Sequence, residues 1–405
     1  MTVLNGIKVL DLSKVIAGPT AAMLLGDLGA DVIKIEEPQQ GDEARAFPPF
    51  QNGVSTVFMA CNRNKRGLSL DLKSKEGLKL FYDLVKKSDV IIEGFRPGVA
   101  EKLKIDYDTV KHINPRIIYC SISGFGRKGP KAYHGGYDAL AQAYGGLMSI
   151  TGLDKESAPI RSGYSVSDIT TGLNATLAIL AALLQRFNTG KGDLVETSLL
   201  QTQVGLMSYY ATMYNATKII PEPIGSRHPN FAPYQAYKAL NGYIMLGISN
   251  NKLWNQFCSI SLFSHLKDIP NFKNNDLRVK HIKQLANEIE KVTKQYSKHH
   301  LIELLEGAVI PCSPINNIQE VVENEQVLIN NMLVDLEHPI AGNYKATNVP
   351  FNMNSAEYVF DKHPPQKGEH NKEILKDLGY SDSYISELIE QKVLGNSDEL
   401  TEQKK

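Results

Sequence analysis

The sequence has none of the features that mark membrane, secreted or zinc-binding proteins. No apolar run approaches the ~18–20 residues that span a bilayer, and no basic segment followed by an apolar one opens the chain, so we expect no signal peptide. The four cysteines are far apart, and neither a CxxC nor an HExxH motif occurs. We therefore expect reduced thiols, a cytoplasmic location and no bound metal.

An excess of charge of one sign is also absent. The 44 lysines and arginines balance 44 acidic residues, whereas proteins that bind nucleic acids or membrane surfaces usually carry a basic excess. The composition therefore favours neither nucleic acid nor a membrane as partner. At ~100–200 residues per domain, a chain of 405 residues is expected to form two or three domains.

Short β-rich runs alternate with helical patterns in the first third of the chain. Strand–helix–strand alternation implies right-handed crossovers and a parallel sheet, so the predicted fold class is α/β. The predicted elements here are strands over 7–12, 31–36, 89–93 and 116–121 and helices over 20–28 and 75–87.

The rest of the chain predicts a second, smaller domain. A segment rich in Pro, Gly, Arg and His over 219–230 is typical of a linker. We predict a large domain over 1–218, completed by 330–405, and a smaller α+β domain over 226–325. The predicted elements are helices over 168–187, 253–259, 278–294 and 383–392 and strands over 193–200 and 344–349.

A cluster of basic residues precedes one strand of the first third. Arg63, Lys65 and Arg66 fit either a solvated turn or a site for a phosphorylated ligand, because arginine binds phosphate in a bidentate manner and lysine supplies a point charge. Arg96 is a further candidate for such a site. It follows the end of a predicted strand, where open α/β sheets bind ligands.

The segment from Gly124 to Gly129 matches the GxGxxG pattern of dinucleotide-binding proteins. That pattern works only where the loop opens directly into a helix that holds the pyrophosphate. Here Pro130, Gly135 and Gly136 come before any helical pattern. The sequence therefore disfavours a nicotinamide-binding site.

Asp168 stands at the start of the long apolar helix. Such an aspartate is either an N-cap, which accepts hydrogen bonds from free backbone amides, or an ionised carboxylate suited to act as a nucleophile. Tyr137-Asp138, after two glycines, has the same pattern of a helix cap. Both interpretations stay open from the residues alone.

Ordered motifs along nearly the whole chain resemble the class III CoA-transferases, the formyl-CoA and carnitine CoA-transferase group (CaiB/BaiF family). The resemblance rests on many motifs in the family's order, which makes it specific. The matching segments are 4–12, 17–19, 28–36, 64–73, 94–98, 122–126, 136–138 and 189–192, with Gln142, Gly145 and Gly146.

The resemblance implies a fold and a reaction. The fold is a Rossmann-like large domain plus a smaller domain, with two chains threaded into an interlocked homodimer. Asp168 takes the position of a nucleophile that forms a mixed anhydride and then an aspartyl-CoA thioester, so CoA moves from an acyl-CoA to a free carboxylic acid. CoA is a substrate here, and no permanently bound cofactor is implied.

The resemblance also implies a set of CoA contacts, to which Arg96 is added for its position after a strand. An arginine that contacts the nucleotide in some members falls on Glu37 here, so Arg45 or Arg96 is expected to replace it. The implied contacts are Ile16, Ala17, Leu70, Asp71, Leu72, Lys73, Gly94, Phe95, Lys102, Tyr137 and Asp138.

Two departures bear on the substrate. Ile16 stands where the formyl-CoA enzyme has a glutamine, and that enzyme's glycine run has no counterpart near 226–233, so we expect an acid larger or less polar than formate or oxalate. The alternative activity is that of an α-methylacyl-CoA racemase. Racemases carry a histidine at the position of Tyr137, and a tyrosine is a poor base because the reference pKa of its side chain is ~10. A non-catalytic CoA-binding protein is a third alternative.

Overall fold

A six-stranded parallel sheet forms the centre of the larger of two units in the computed structural model, which describes residues 2–395. The order β3-β2-β1-β4-β5-β6 is that of a doubly wound Rossmann sheet, in which the direction of winding reverses between β1 and β4. The strands are β1 (Lys8–Asp11), β2 (Asp31–Glu36), β3 (Lys65–Ser69), β4 (Val90–Glu93), β5 (Ile118–Ser123) and β6 (Asp193–Ser198).

The central strands are buried on both faces, as parallel strands usually are. Successive residues of a strand point to opposite faces, so Leu10 and Ile91 join one apolar cluster, while Val9 and Ile92 join another. The predicted α/β class is confirmed.

Four helices of this unit bear on the site. They are α1 (Ala17–Asp27), α2 (Asp138–Tyr144), α3 (Val166–Thr189) and α4 (Leu199–Leu206). By length and composition α3 is long and apolar enough to cross a membrane, with 39% of its most apolar window buried. Such a helix is weak evidence for a membrane, and α3 packs against α1.

The larger unit also contains further helical segments and two antiparallel strand pairs. Its helical segments are Glu43–Ala46, Thr56–Asn62, Lys75–Lys86, Val99–Leu103, Tyr107–Ile113, Asn371–Asp377 and Asp382–Glu390. Its hairpin strands are Phe50–Gln51, Val54–Ser55, Leu333–His338 and Gly342–Thr347. Helices Leu147–Ile150, Tyr209–Thr217 and Glu325–Ile329 lie where the chain passes between the units.

The C-terminal part of the chain covers the free edge of β3. The Ser69 amide donates to Asn371 Oδ1 at 2.8 Å, and the Gly67 amide donates to His370 Nδ1 at 3.1 Å. Leu70 and Leu394 form an antiparallel bridge beside them. Both ends of the chain therefore build this unit.

The smaller unit has its own antiparallel sheet and apolar core. The prediction of a single helix over 278–294 is wrong, because the helix breaks at His281. In the first of the two pieces, the buried Arg278 guanidinium donates to the carbonyl oxygens of Ala232 and Phe272. The strands are Tyr234–Ala239, Gly242–Gly247 and Cys312–Pro314; the helical segments are Asn251–Ser259, Ser261–Asp268, Pro270–Phe272, Asn275–Lys280, Ile282–Thr293, Lys298–Gly307 and Ile318–Val322.

The two units differ from the predicted domains in one segment. The larger unit comprises the described residues of 1–147, 161–216 and 329–405, and the smaller comprises 148–160 and 217–328. Segment 148–160, inside the predicted range of the large domain, groups with the smaller unit. Its composition gave no sign of this.

Candidate active site

A cavity of about 250 Å³ opens at the carboxyl edge of the parallel sheet, next to the point where the winding reverses. Its walls are the segments that follow four strands: 12–18 after β1, 94–97 after β4, 122–124 at β5 and Leu199 after β6. Open α/β sheets bind ligands at this place because loops diverge there and leave a crevice. Asp168 is among the lining residues.

Asp168 lies in the first turn of α3, so of the two interpretations left open by the sequence the N-cap is wrong. The helix begins at Val166, and the cap residue Ser165 makes no capping bond through its side chain. The carboxylate of Asp138 caps the helix instead, because its Oδ1 accepts from the amides of Ser167 at 2.8 Å and Asp168 at 3.3 Å. The Asp168 side chain is thereby left to face the cavity.

The surroundings of Asp168 favour its neutral form more than water does. Burial raises the pKa of its carboxyl to about 7, and the negative charge of Asp138 acts in the same direction. Among residues 2–395, none donates a hydrogen bond to this carboxylate. Asp168 therefore titrates near neutral pH, within the range expected of a group that reacts.

Asp138 is fully engaged within the protein. Besides capping α3, its Oδ2 accepts from Gln142 Nε2 at 2.6 Å, and Gln203 of α4 fixes Ser167 through a 2.6 Å bond to its Oγ. The predicted cap formed by Tyr137-Asp138 on its own helix is absent; Tyr137 takes the cap position of α2 without a side-chain bond. Contact of Asp138 with CoA would have to go through its backbone.

The structure brings about half of the predicted site residues into the one cavity. Those that line it are Ile16, Ala17, Gly94, Phe95, Arg96, Tyr137 and Asp168. Those that do not are Leu70, Asp71, Leu72, Lys73, Lys102 and Asp138. Segment 70–73 follows β3 at the same edge of the sheet, but the Leu70 side chain is buried in the core.

The basic cluster is neither a solvated turn nor a phosphate site. Arg63 pairs with Asp27, Lys65 with Asp11, and Arg66 with Asp31 and two C-terminal acids, and all three cations are buried. A ligand phosphate cannot reach groups that are already neutralised inside the protein. The paired acids lie far away in the sequence, so no local pattern revealed them.

The two candidates to replace the family arginine differ in their availability. Arg45 binds Glu36 through two hydrogen bonds, of 2.8 and 2.6 Å, and its guanidinium stacks 3.8 Å from the centre of the Phe58 ring. Arg96 is exposed at the cavity, and within residues 2–395 no side chain pairs with it. Arg96 is therefore the better placed of the two.

The first glycine of the GxGxxG segment, Gly124, serves loop packing. A Cβ atom at Gly136 would lie 2.5 Å from the Gly124 Cα, so the backbones of the two loops touch there. The next helix begins only at Asp138, after the loop has crossed the cavity wall. The geometry that a dinucleotide pyrophosphate needs is thus absent at this loop.

Sequence reasoning missed five polar residues of the cavity, one of which is Ser123 at the end of β5. Ser13 and Lys14 follow β1, and the rule that ligands bind beyond strand ends could have selected them. Glu43 begins the short helical segment Glu43–Ala46 and His134 lies in a loop, and no sequence signal placed either segment at the cavity. Together with Arg96 they supply the cavity with two permanent cations, one carboxylate and one imidazole.

Comparison with known proteins agrees with this geometry. The profile of CoA-transferase family III matches residues 4–371. Human succinyl-CoA:glutarate CoA-transferase is 38% identical over 95% of this chain and 88% of its own length, and a succinate–glutarate CoA-transferase from Agrobacterium fabrum is 35% identical over 93% and 95%. A crystal structure of a CaiB/BaiF family protein from Brucella suis superposes with a TM-score of 0.87 at 34% identity, over 93% of this chain and 99% of that one.

The fold and the cavity define an α/β protein with a candidate ligand site at the carboxyl edge of its sheet, and the matches state its class. The chain belongs to CoA-transferase family III, and it is an enzyme that transfers CoA. The resemblance predicted from the motifs is confirmed.

Proposed function

We propose that Asp168 carries CoA between two acids as a covalent aspartyl thioester. The Asp168 carboxylate attacks the carbonyl carbon of the donor thioester, which forms a mixed anhydride and releases CoA thiolate. The thiolate then attacks the aspartyl carbonyl and expels the donor acid, leaving Asp168 bound to CoA. The acceptor carboxylate repeats these steps in reverse, and Asp168 is freed.

The observation that carries this proposal is the position of the Asp168 carboxyl. It faces the cavity from the first turn of a 24-residue helix, and within residues 2–395 no group donates a hydrogen bond to it, so its oxygens are available to a thioester. Near neutral pH a large fraction of a carboxyl with a pKa of about 7 is ionised, while its basicity exceeds that of an ordinary aspartate.

The substrates we propose are acyl groups of four- or five-carbon dicarboxylic acids. Relatives of this chain are named for succinate and glutarate. Lys14 and Arg96 line the cavity against the single acid Glu43 near the reacting carboxyl, so a second carboxylate on the substrate meets positive charge. At about 250 Å³ the cavity is smaller than the ~300–1,000 Å³ of most ligand pockets and suits the acyl end of acyl-CoA.

The CoA contacts remain part of the proposal. Ile16, Ala17, Gly94, Phe95 and Tyr137 surround the thioester end beside Asp168. Lys73 and Lys102 are exposed at the carboxyl edge of the sheet, where their ammonium groups are available to the phosphates of CoA.

We also propose that the enzyme is an interlocked homodimer. One face of α3 is apolar and exposed at helical spacing, as Leu177 and Leu184 are each 68% exposed. Apolar surface of this kind usually marks an interface. Gel filtration with light scattering should give a dimer that persists on dilution, and a monomer would contradict the proposal.

We infer a reducing compartment such as the cytoplasm from the cysteines. All four are unpaired thiols, three of them buried. Disulfides are rare in such compartments, so free cysteines are expected there.

The decisive test is mass spectrometry of the enzyme and its products in deuterated water. With succinyl-CoA and glutarate, we expect glutaryl-CoA among the products and a CoA adduct on the peptide that contains Asp168. The adduct should be missing from Asp168→Asn. Deuterium at the α-carbon of a branched acyl-CoA, without exchange of acids, would instead establish the racemase.

A further inference from the structure

Four buried charged groups hold the loop that forms the floor of the cavity. The loop runs from the end of β1 to the start of α1 and includes residues 12–17. Asp11, Lys34, Asp42 and Lys65 surround it, and all are at most 1% exposed. Buried charges are retained only where they are paired and hydrogen-bonded, so their contacts show what they support.

Lys34 and Asp42 bind the backbone of the loop at two successive points. Lys34 Nζ donates to the Ser13 carbonyl oxygen at 3.2 Å and to Asp42 Oδ2 at 2.8 Å. Asp42 Oδ1 accepts from the Val15 amide at 3.0 Å. The pair thus fixes the carbonyl group of Ser13 and the amide of Val15, which lie on either side of Lys14.

Asp11 and Lys65 hold the two ends of the same loop. Asp11 Oδ1 accepts from the Ser13 amide at 3.0 Å and from the Ser13 hydroxyl. Lys65 Nζ donates to Asp11 Oδ2 at 2.8 Å and to the Pro19 carbonyl oxygen, inside α1, at 2.9 Å.

The loop needs this support because its backbone is strained. Val15 has a φ of 69°, a left-handed conformation that a β-branched residue rarely adopts. A residue in such a conformation keeps it only when the surroundings enforce it. The hydrogen bond from the Val15 amide to Asp42 is such an enforcing contact.

The loop also touches the helix that carries Asp168. A Cβ atom at Gly172, one turn after Asp168, would lie 2.7 Å from the Ala17 carbonyl oxygen. A shift of the loop therefore changes the space between Ile16, Ala17 and the Asp168 carboxylate.

We propose that Lys34 and Asp42 are a positioning pair. The pair holds the strained loop 12–17 so that a thioester lying on this loop meets the Asp168 carboxylate. The pair does not touch the substrate and acts through the backbone of Ser13 and Val15. Its effect on the reaction rests on the proposed function of Asp168, whereas its hold on the loop does not.

The test compares two neutralised ion pairs of the same unit. Lys34→Met/Asp42→Leu removes the positioning pair together with the acceptor of the Val15 amide, and Arg63→Met/Asp27→Leu removes a pair that is equally buried but makes no contact with the loop. Hydrogen exchange at the Val15 amide is expected to become at least ~10-fold faster in the first variant and unchanged in the second. For CoA transfer we expect kcat to fall on the order of 100-fold in the first, with KM changed little, and less than ~3-fold in the control.

Each outcome decides a separate point. Unchanged exchange at Val15, or an equal loss of kcat in both variants, would overturn the positioning role. An enzyme whose wild-type form transfers CoA without any adduct at Asp168 would refute the proposed function, while the exchange result would still decide whether the pair holds the loop. If the first variant fails to fold, Lys34→Met/Asp42→Ala is read in the same way, because it removes the same two charges and the same acceptor with a smaller side chain.

Discussion

Two carboxylates border the same loop of the larger unit and have opposite electrostatic properties. Burial alone would raise the pKa of Asp42, but the Lys34 ammonium and the amides of Ala44 and Val15 lower it to about 2. Asp168 has no such partners within residues 2–395, so burial and the nearby charge of Asp138 raise its pKa to about 7. The depth of burial therefore does not decide whether a carboxylate is structural or reactive; its donors do.

The largest effect is expected from removing the reactive member of this comparison. Asp168→Asn should lower CoA transfer on the order of 10³-fold or more, because an amide cannot form the anhydride. Initial rates with succinyl-CoA and glutarate measure this. Asp335→Asn, at an exposed carboxylate of the same unit, serves as the control. Full turnover by a pure Asp168→Asn preparation would remove Asp168 from the nucleophile role.

Removing Lys34 should leave Asp42, like Asp168, as a buried carboxylate without a cationic partner. Lys34→Met leaves a buried carboxylate without its cation, and the free energy of unfolding at pH 7 should fall by about 3–5 kcal/mol. Urea unfolding gives this value. Lys345→Met, which breaks an exposed pair with Asp335, should cost less than about 1 kcal/mol. Equal losses in the two variants would show that burial of the pair is irrelevant.

The raised pKa of Asp168 also predicts a cost to stability. The unfolded carboxyl ionises near pH 4 but the folded one near pH 7, so the cost of ionisation in the folded state is absent below pH 4 and grows until about pH 7. Asp168→Asn should therefore raise the free energy of unfolding at pH 8 by roughly 1–4 kcal/mol and by less at pH 5. Unfolding curves at both pH values measure the difference; a variant less stable than wild type at pH 8 would contradict it.

The smallest effect concerns the neighbour of Asp168. Asp138→Asn removes a negative charge that raises the pKa of Asp168, so the rising limb of the pH profile of kcat/KM should move to lower pH. At pH 6, kcat/KM expressed as a fraction of its plateau value should be ~2–5-fold higher in the variant than in the wild type. Movement of the limb to higher pH would mean that the helix cap, rather than the charge, dominates the role of Asp138.

The sequence predicted much of the fold because its strands are patterned locally. The strands at 31–36 and 89–93 were found within one residue, since alternating and continuous apolar runs need no distant information. Asp168 was placed in the site by the resemblance, as its position alone fitted a cap equally well. The other half of the site could not be predicted in this way, because it is formed by contacts between segments that are distant in the sequence.

The errors share one physical origin. Arg63 and Lys65 are recognised as structural only when Asp27 and Asp11 are seen beside them, at 36 and 54 residues' distance in the chain. Asp138 caps a helix that starts 28 residues later instead of its own. Pairings of this kind are set by the fold, and no local pattern encodes them.

The cover on β3 has a consequence for how the chain folds as it is made. Asn371 completes a strand edge that was synthesised 302 residues earlier. At ~5–20 residues per second, a ribosome needs roughly 15–60 s to make that length. During this time the nascent sheet exposes unpaired backbone groups that could pair with other chains. We therefore expect the yield of folded enzyme to depend more on chaperones that act during synthesis than on the stability of the finished protein.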